Sequence, residues 1–248
     1  MFKHETVPNA PIAEALMDIR VQLPPNTDPQ NLEKLHTKIK KKYTKIEKKY
    51  FFETKFEFKQ NEQPSIESSP SRFQGFLFRS EKEKKLVQAR IDGFTFNKLK
   101  PYENWDVFCS EGRKHWENYV KIANPLKVTR IALRYINRIE IPLPFENFDD
   151  FILINPKIAP ELPQAIRHFF IRFEIPNPGI NSTAIITQTI DKPTDQNRLP
   201  LIFDIDVIIE SNYFVNEKKI WTDFEKLRDY KNEIFFKSIT NKTKELFR

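Results

Sequence analysis

Positions 128 to 141 read Val-Thr-Arg-Ile-Ala-Leu-Arg-Tyr-Ile-Asn-Arg-Ile-Glu-Ile, and no other stretch restricts the fold as much. Successive side chains leave a strand on opposite faces, so an alternation of period two is a strand pattern. Thr129, Ile131, Leu133, Tyr135, Asn137, Ile139 and Ile141 then supply a face for a core. Arg130, Arg134 and Arg138, followed by Glu140, supply the other. Each guanidinium stands about 13 Å from the next along the strand. A strand apolar on one side and charged on the other belongs to an antiparallel sheet with one covered face.

The same period marks strands at 13–23, 51–59, 73–80, 86–98, 166–175, 183–191 and 200–211. Pro24, Pro25, Pro142 and Pro144 stop the strands they follow, having no amide hydrogen to give a ladder. In the stretch 86–98 the apolar phase changes at Gly93, from Val87, Ala89 and Ile91 to Phe94 and Phe96, which predicts a β-bulge. The polar, serine-rich stretch 60–71 predicts a mobile loop, and 145–154 a short helix or loop. Thr27 or Asp28, with Pro29, opens a helix carrying Leu32, Leu35, Ile39, Tyr43 and Ile46. Its other face holds Lys34, Lys38, Lys41, Lys42, Lys45, Lys48 and Lys49, either a patch for nucleic acid or membrane or a solvated surface. Asn104 or Asp106 caps a second helix with Trp105, Phe108, Cys109, Trp116 and Tyr119; Thr222 or Asp223 caps a last one reaching Leu246.

Both halves of the chain thus read β-α-β-β-β-α. Arg20-Val21-Gln22-Leu23-Pro24 echoes Arg138-Ile139-Glu140-Ile141-Pro142, and Trp105-x-x-Phe108 echoes Trp221-x-x-Phe224, at offsets of 118 and 116 residues. Two echoes in order on matching elements point to internal duplication. The expected fold is α+β: one pseudo-twofold domain with half-repeats at 10–123 and 127–247, forming one antiparallel sheet of about eight strands with helices packed on one face.

Carried across that sheet, the alternation gathers a polar face: Glu14, Asp18 and Arg20; Gln88, Arg90 and Asp92; Arg130, Arg134 and Arg138; His168, Arg172 and Glu174; Asp204 and Asp206. It is either a solvated surface of cross-strand ion pairs or a charged cradle. Arg dominates here whereas Lys dominates the helices, and Arg suits bidentate recognition of phosphate or carboxylate. Arg130, Arg134, Arg138, Arg20, Arg90 and Arg172 are the candidate ligand-binding residues. The formal net charge of +7 agrees with an anionic partner, or with no more than a Lys-rich surface.

Catalytic patterns are poor. Cys109 and His115 lie six apart on a helix and face different ways. The histidines at 4, 36, 115 and 168 lack metal-ligand spacing, and no Gly-rich phosphate loop or nucleophile elbow occurs. Asp204-x-Asp206 is the one weak candidate for a metal, and no cofactor is expected. One cysteine, no apolar run of about 20 residues and a start without a signal-peptide core predict a cytoplasmic protein that needs no membrane.

Four strings resemble a sporadically distributed family of bacterial proteins of unassigned function: Asn9-Ala10-Pro11-Ile12 with Glu14-Ala15-Leu16, Pro101-Tyr102-Glu103-Asn104-Trp105, Leu133-Arg134-Tyr135-Ile136-Asn137-Arg138-Ile139, and Phe235-Phe236-Lys237-Ser238-Ile239-Thr240. The resemblance spans nearly the whole chain; it implies no catalytic residues, and the patchy distribution implies a mobile or defence-related setting. The duplicated element order is similar to saddle folds of the TATA-binding-protein type, and the charged sheet face is similar to triphosphate tunnel enzymes. The expected function is a non-enzymatic binding or sensor protein that holds nucleic acid or nucleotide on the Arg face. The alternatives are a metal-dependent phosphohydrolase of tunnel type and an antitoxin-like scaffold for a protein partner.

Overall fold

The computed structural model describes residues 9–51, 54–57, 65–68 and 71–248. Its elements in chain order are β1 (Ile12–Gln22), a 3-10 turn (Pro29–Glu33) leading into α1 (Lys34–Ile39), β2 (Lys45–Phe51), β3 (Thr54–Glu57), β4 (Ser65–Ser68), β5 (Arg72–Ser80), β6 (Lys85–Arg90), β7 (Gly93–Leu99) and α2 (Trp105–Ala123). The second half holds β8 (Lys127–Pro142), a 3-10 turn (Phe148–Asp150), β9 (Phe170–Asn177), a 3-10 turn (Pro178–Ile180), β10 (Ser182–Ile190), β11 (Arg198–Tyr213), α3 (Lys219–Ser238) and α4 (Asn241–Glu245). Nine strands make one sheet in the order β2-β5-β6-β7-β1-β8-β11-β10-β9, with β3 and β4 forming a separate pair. Neighbours in the large sheet run antiparallel. The fold is α+β. Among the described residues the sheet is open, with β2 and β9 as its edges. No described helix is long and apolar enough to cross a membrane.

β1 and β8 pair at the centre, Met17 opposite Leu133 and Arg20 opposite Arg130. In β8 the core face falls where the alternation puts it, with Ile131, Leu133, Tyr135, Asn137, Ile139 and Ile141 buried. Thr129 is the exception: a register shift beside Arg20 turns it out, and buried Val128 takes the core position. The covered face is aromatic: Phe76, Phe78, Phe94, Phe96, Tyr135 and Phe203 are each at most 2% exposed. Asn104 caps α2 by accepting from the Val107 amide at 2.9 Å, and Asn124 ends it in the left-handed conformation. α2 lies against β7, and α3 against β8 and β11. Gly112 lets α2 come close, since a Cβ there would stand 3.0 Å from the Met17 sulfur and 3.1 Å from the Phe96 ring.

Four expectations are corrected. The stretch 86–98 is a hairpin, β6 and β7, not one bulged strand. Arg90 pairs with Gly93 across a two-residue turn, and such a loop inverts the parity of the partners, so Val87 faces Phe96 and Ala89 faces Phe94. The first helix ends at Ile39. Lys38, Lys41 and Lys42 would repel at helical spacing, and the chain instead turns so that His36 bonds the Tyr43 carbonyl at 2.9 Å. Tyr43 is core, but Lys45, Lys48 and Lys49 lie on edge strand β2, where lysines discourage pairing with another chain. The last helix begins at Lys219 and breaks after Ser238, before Thr240 caps α4. Of the predicted loop at 60–71, Ser65–Ser68 is strand β4. The remainder of it except Ser71, and of the predicted strand at 51–59 residues 52, 53, 58 and 59, lie outside the described residues.

Candidate functional site

The polar face is built around Asp18, in mid-β1. Its carboxylate accepts hydrogen bonds from Arg20 Nε at 3.1 Å, Arg90 Nη2 at 2.9 Å, Arg130 Nη1 at 3.1 Å and the Thr95 hydroxyl at 2.7 Å. β6, β7 and β8 therefore meet on one residue of β1. Burial alone would raise the Asp18 carboxyl, but the fields of Arg90 and Arg20 and the Thr95 hydrogen bond hold it below the ordinary carboxylate range. Arg90 also donates to Asp92 at 2.9 Å, and Arg20 to the same carboxylate. The in-register neighbours of Arg90 are Gly75 and Gly93, so no side chain on either adjacent strand competes for its space.

Arg134 grips Asp204 with two nitrogens, Nε at 2.9 Å and Nη2 at 2.5 Å; its Nη1 makes no hydrogen bond to another described residue. Its side chain is 43% exposed, the most accessible of the four guanidinium groups around Asp18 and Asp204. Asp206 faces Arg134 across the β8–β11 ladder and lies 4.0 Å from Arg130 Nη2. One Asp206 oxygen is buried without a hydrogen-bond partner. Burial raises this carboxyl above the ordinary range despite Arg130 and Arg134.

These groups floor a groove of about 800 Å³. Ala132, between Arg130 and Arg134, adds only a methyl to the floor. Six basic side chains line the groove, Arg20, Lys49, Arg72, Arg90, Arg130 and Arg134, against three acidic ones, Asp18, Asp92 and Asp206. Half-exposed Tyr50 and Phe51 stand at its β2 side. Lys49 is held below the ordinary lysine range, by burial first and then by Arg90, with Asp92 acting against them.

Four of the six candidate arginines thus share one groove: Arg20, Arg90, Arg130 and Arg134. Arg138 points from the same face of β8, but its guanidinium turns away to Glu140 at 2.7 Å, to Asp191 and to the Lys192 carbonyl. Arg172 is exposed on edge strand β9, opposite Thr187 and outside the groove. Asp204 and Asp206 do share a face, but Asp204 is occupied by Arg134. Among the described residues no three His, Cys, Asp or Glu side chains come together as a metal ion would need. Cys109 is half-buried and burial pushes its thiol up to about 11, which leaves little thiolate.

Residue alternation identified the face but missed Lys49, Tyr50, Phe51 and Arg72. Lys49, Tyr50 and Phe51 reach the groove because β2 joins the far side of β5, a nonlocal pairing that no local pattern announces, and Arg72 begins β5 opposite Phe51. The only available signal was Tyr50-Phe51 directly after the lysines. Compared with protein-family models, with curated proteins and with solved structures, the chain shows a match to none.

Proposed function

We propose that this protein is a binding or sensor module that holds a phosphate-bearing anion, a nucleotide or a single-stranded nucleic acid, in the groove around Asp18. The observation that carries the reading is the excess of basic over acidic lining groups beside two half-exposed aromatic rings. Phosphate oxygens accept from guanidinium groups held in place by carboxylates, and the open edge of Arg134 is the first to offer such contact. Bases stack on aromatic rings without regard to sequence, which suits Tyr50 and Phe51.

The test is fluorescence anisotropy of the protein with a labelled nucleoside triphosphate and labelled single- and double-stranded oligonucleotides, at several salt concentrations. Single strands should bind more tightly than duplexes, with affinity falling as salt rises. No binding of any of them at low salt would put a protein partner ahead.

The same reading takes the chain as one pseudo-twofold unit built by duplication of halves 10–123 and 127–247. Strand order supports it: outward from the β1–β8 pair run β7-β6-β5 on one side and β11-β10-β9 on the other, and α2 follows β7 as α3 follows β11. Reciprocal contacts support it further. Arg113 of α2 lies 5.2 Å over the Trp221 ring of α3, and Arg228 of α3 lies 5.6 Å over the Trp105 ring of α2. β2 and α1 are additions to the first half, where the second has only irregular chain and a 3-10 turn.

A further inference from the structure

Lys231 occupies a core position on α3. The buried residues of that helix are Ile220, Asp223, Phe224, Leu227, Lys231, Ile234, Phe235 and Ser238, spaced by three and four along one face. Lys231 is 8% exposed, and its Nζ lies 3.8 Å from the centre of the Tyr135 ring. Among the described residues it makes no hydrogen bond and no ion pair. Such a group is costly to bury without a counter-charge. Burial first, and Arg228 second, lower its pKa to about 7.

The amine borders a cleft of about 390 Å³ on the helix side of the sheet, away from the groove. Pro101, Tyr102, Trp105, Phe235 and Phe236 make its walls apolar and aromatic. The hydroxyls of Tyr102 and Tyr135 are bonded to each other at 2.7 Å, which leaves one hydroxyl hydrogen of the pair for another acceptor. Among the described residues lining the cleft the one carboxylate is Glu103, and it pairs with Lys98 at 3.0 Å. Arg228 and Lys100 add positive charge at the rim.

We infer that this cleft is a second binding site, independent of the groove, for a small organic acid with an aromatic or apolar body. Its carboxylate would ion-pair with Lys231 and accept from the tyrosine pair, while its body packs against the ring walls. A cavity of this size with convergent polar groups on an aromatic lining is the form small-ligand sites take. The ligand's charge supplies what the interior withholds from Lys231.

The experiment is isothermal titration calorimetry of the full chain with indole-3-acetate and benzoate against their neutral amides. At pH 6 the acids should bind at least tenfold more tightly than the amides. That preference should shrink by pH 9, as Lys231 loses its proton through about 7. The other titratable or charged groups lining the cleft are Arg228 on the same helix, Tyr135 on β8, and Lys100, Tyr102 and Glu103 before α2. The two hydroxyls are raised by burial and stay protonated throughout. Lys231→Met keeps the volume, should fold with an unchanged or higher Tm, and should lose the acid-over-amide preference. Arg134→Gln, in the groove, should leave acid binding as it is, which separates this site from the first. Equal binding of acid and amide, no binding of either acid at millimolar concentration, or full retention by Lys231→Met would each overturn the proposal.

Discussion

Asp18 is the residue on which the charged face depends. It gathers three guanidinium groups and a hydroxyl, and Arg90 beside it is largely buried. Asp18→Asn leaves Arg90 without that counter-charge and should cost about 3 kcal/mol in urea unfolding. The carboxyl titrates below its unfolded value. Its stabilisation is therefore present above the ordinary carboxylate pKa of about 4 and fades as pH falls through the depressed folded value. Parent and variant should converge in stability towards pH 3; a constant gap from pH 7 to 3 would contradict this. Asp206 has the opposite sign, since burial raises it and one oxygen lacks a partner. Asp206→Asn removes a charge the fold resists, so it should raise Tm at pH 7 and tighten binding of the labelled triphosphate. A lower Tm would mean that Arg130 and Arg134 need that charge more than burial opposes it.

At the scale of elements, what the sequence displayed clearly were segments whose pattern is decided by their own neighbours. β1, β8 and β10 run within two residues of the bounds read from alternation and prolines, and α2 follows its Asn104 cap and its stop before Pro125. The failures have different causes, one of them competition from a partner distant in sequence. Leu32 to Ile46 has helical spacing, yet the second part of it is drawn into pairing with β5, as Ile46 with Phe78. In 86–98 the apolar phase change at Gly93 reads equally as a bulge or as the parity change of a two-residue hairpin, and the structure takes the hairpin. Gly93 has φ +157, and a Cβ there would stand 2.4 Å from the Ile19 carbonyl oxygen on β1. Gly93→Val should therefore destabilise by about 2 kcal/mol or more, through strain and through parting β7 from β1. A Tm equal to the parent's would show that the hairpin tolerates a side chain there.

The whole molecule is an open sheet with helices on one face and charge on the other. Its second face was readable as a set of residues, because period two does not depend on strand order. Which of those residues meet was not readable. Arg138 and Arg172 belong to the set, but the strand order and the local carboxylates carry them out of the groove, while Lys49 and Tyr50 enter it from the edge. Lys231 was hidden for the converse reason: on a helix it read as one more surface lysine, and only packing against Tyr135 reveals its burial.

Binding of phosphate by the groove arginines is what the proposed function requires. The direct measurement is the salt dependence of oligonucleotide affinity for the parent, Arg134→Gln, Arg130→Gln and, as a control on the same face, Arg138→Gln. Each groove variant should lower affinity and reduce the slope of log affinity against log salt by roughly one. Arg134→Gln also leaves buried Asp204 without its counter-charge, so it should fold but lose about 1–3 kcal/mol of stability. Arg138→Gln should leave slope and affinity unchanged. Unchanged binding by Arg134→Gln and Arg130→Gln, together with a collapsed Tm, would mean that these arginines serve the sheet alone.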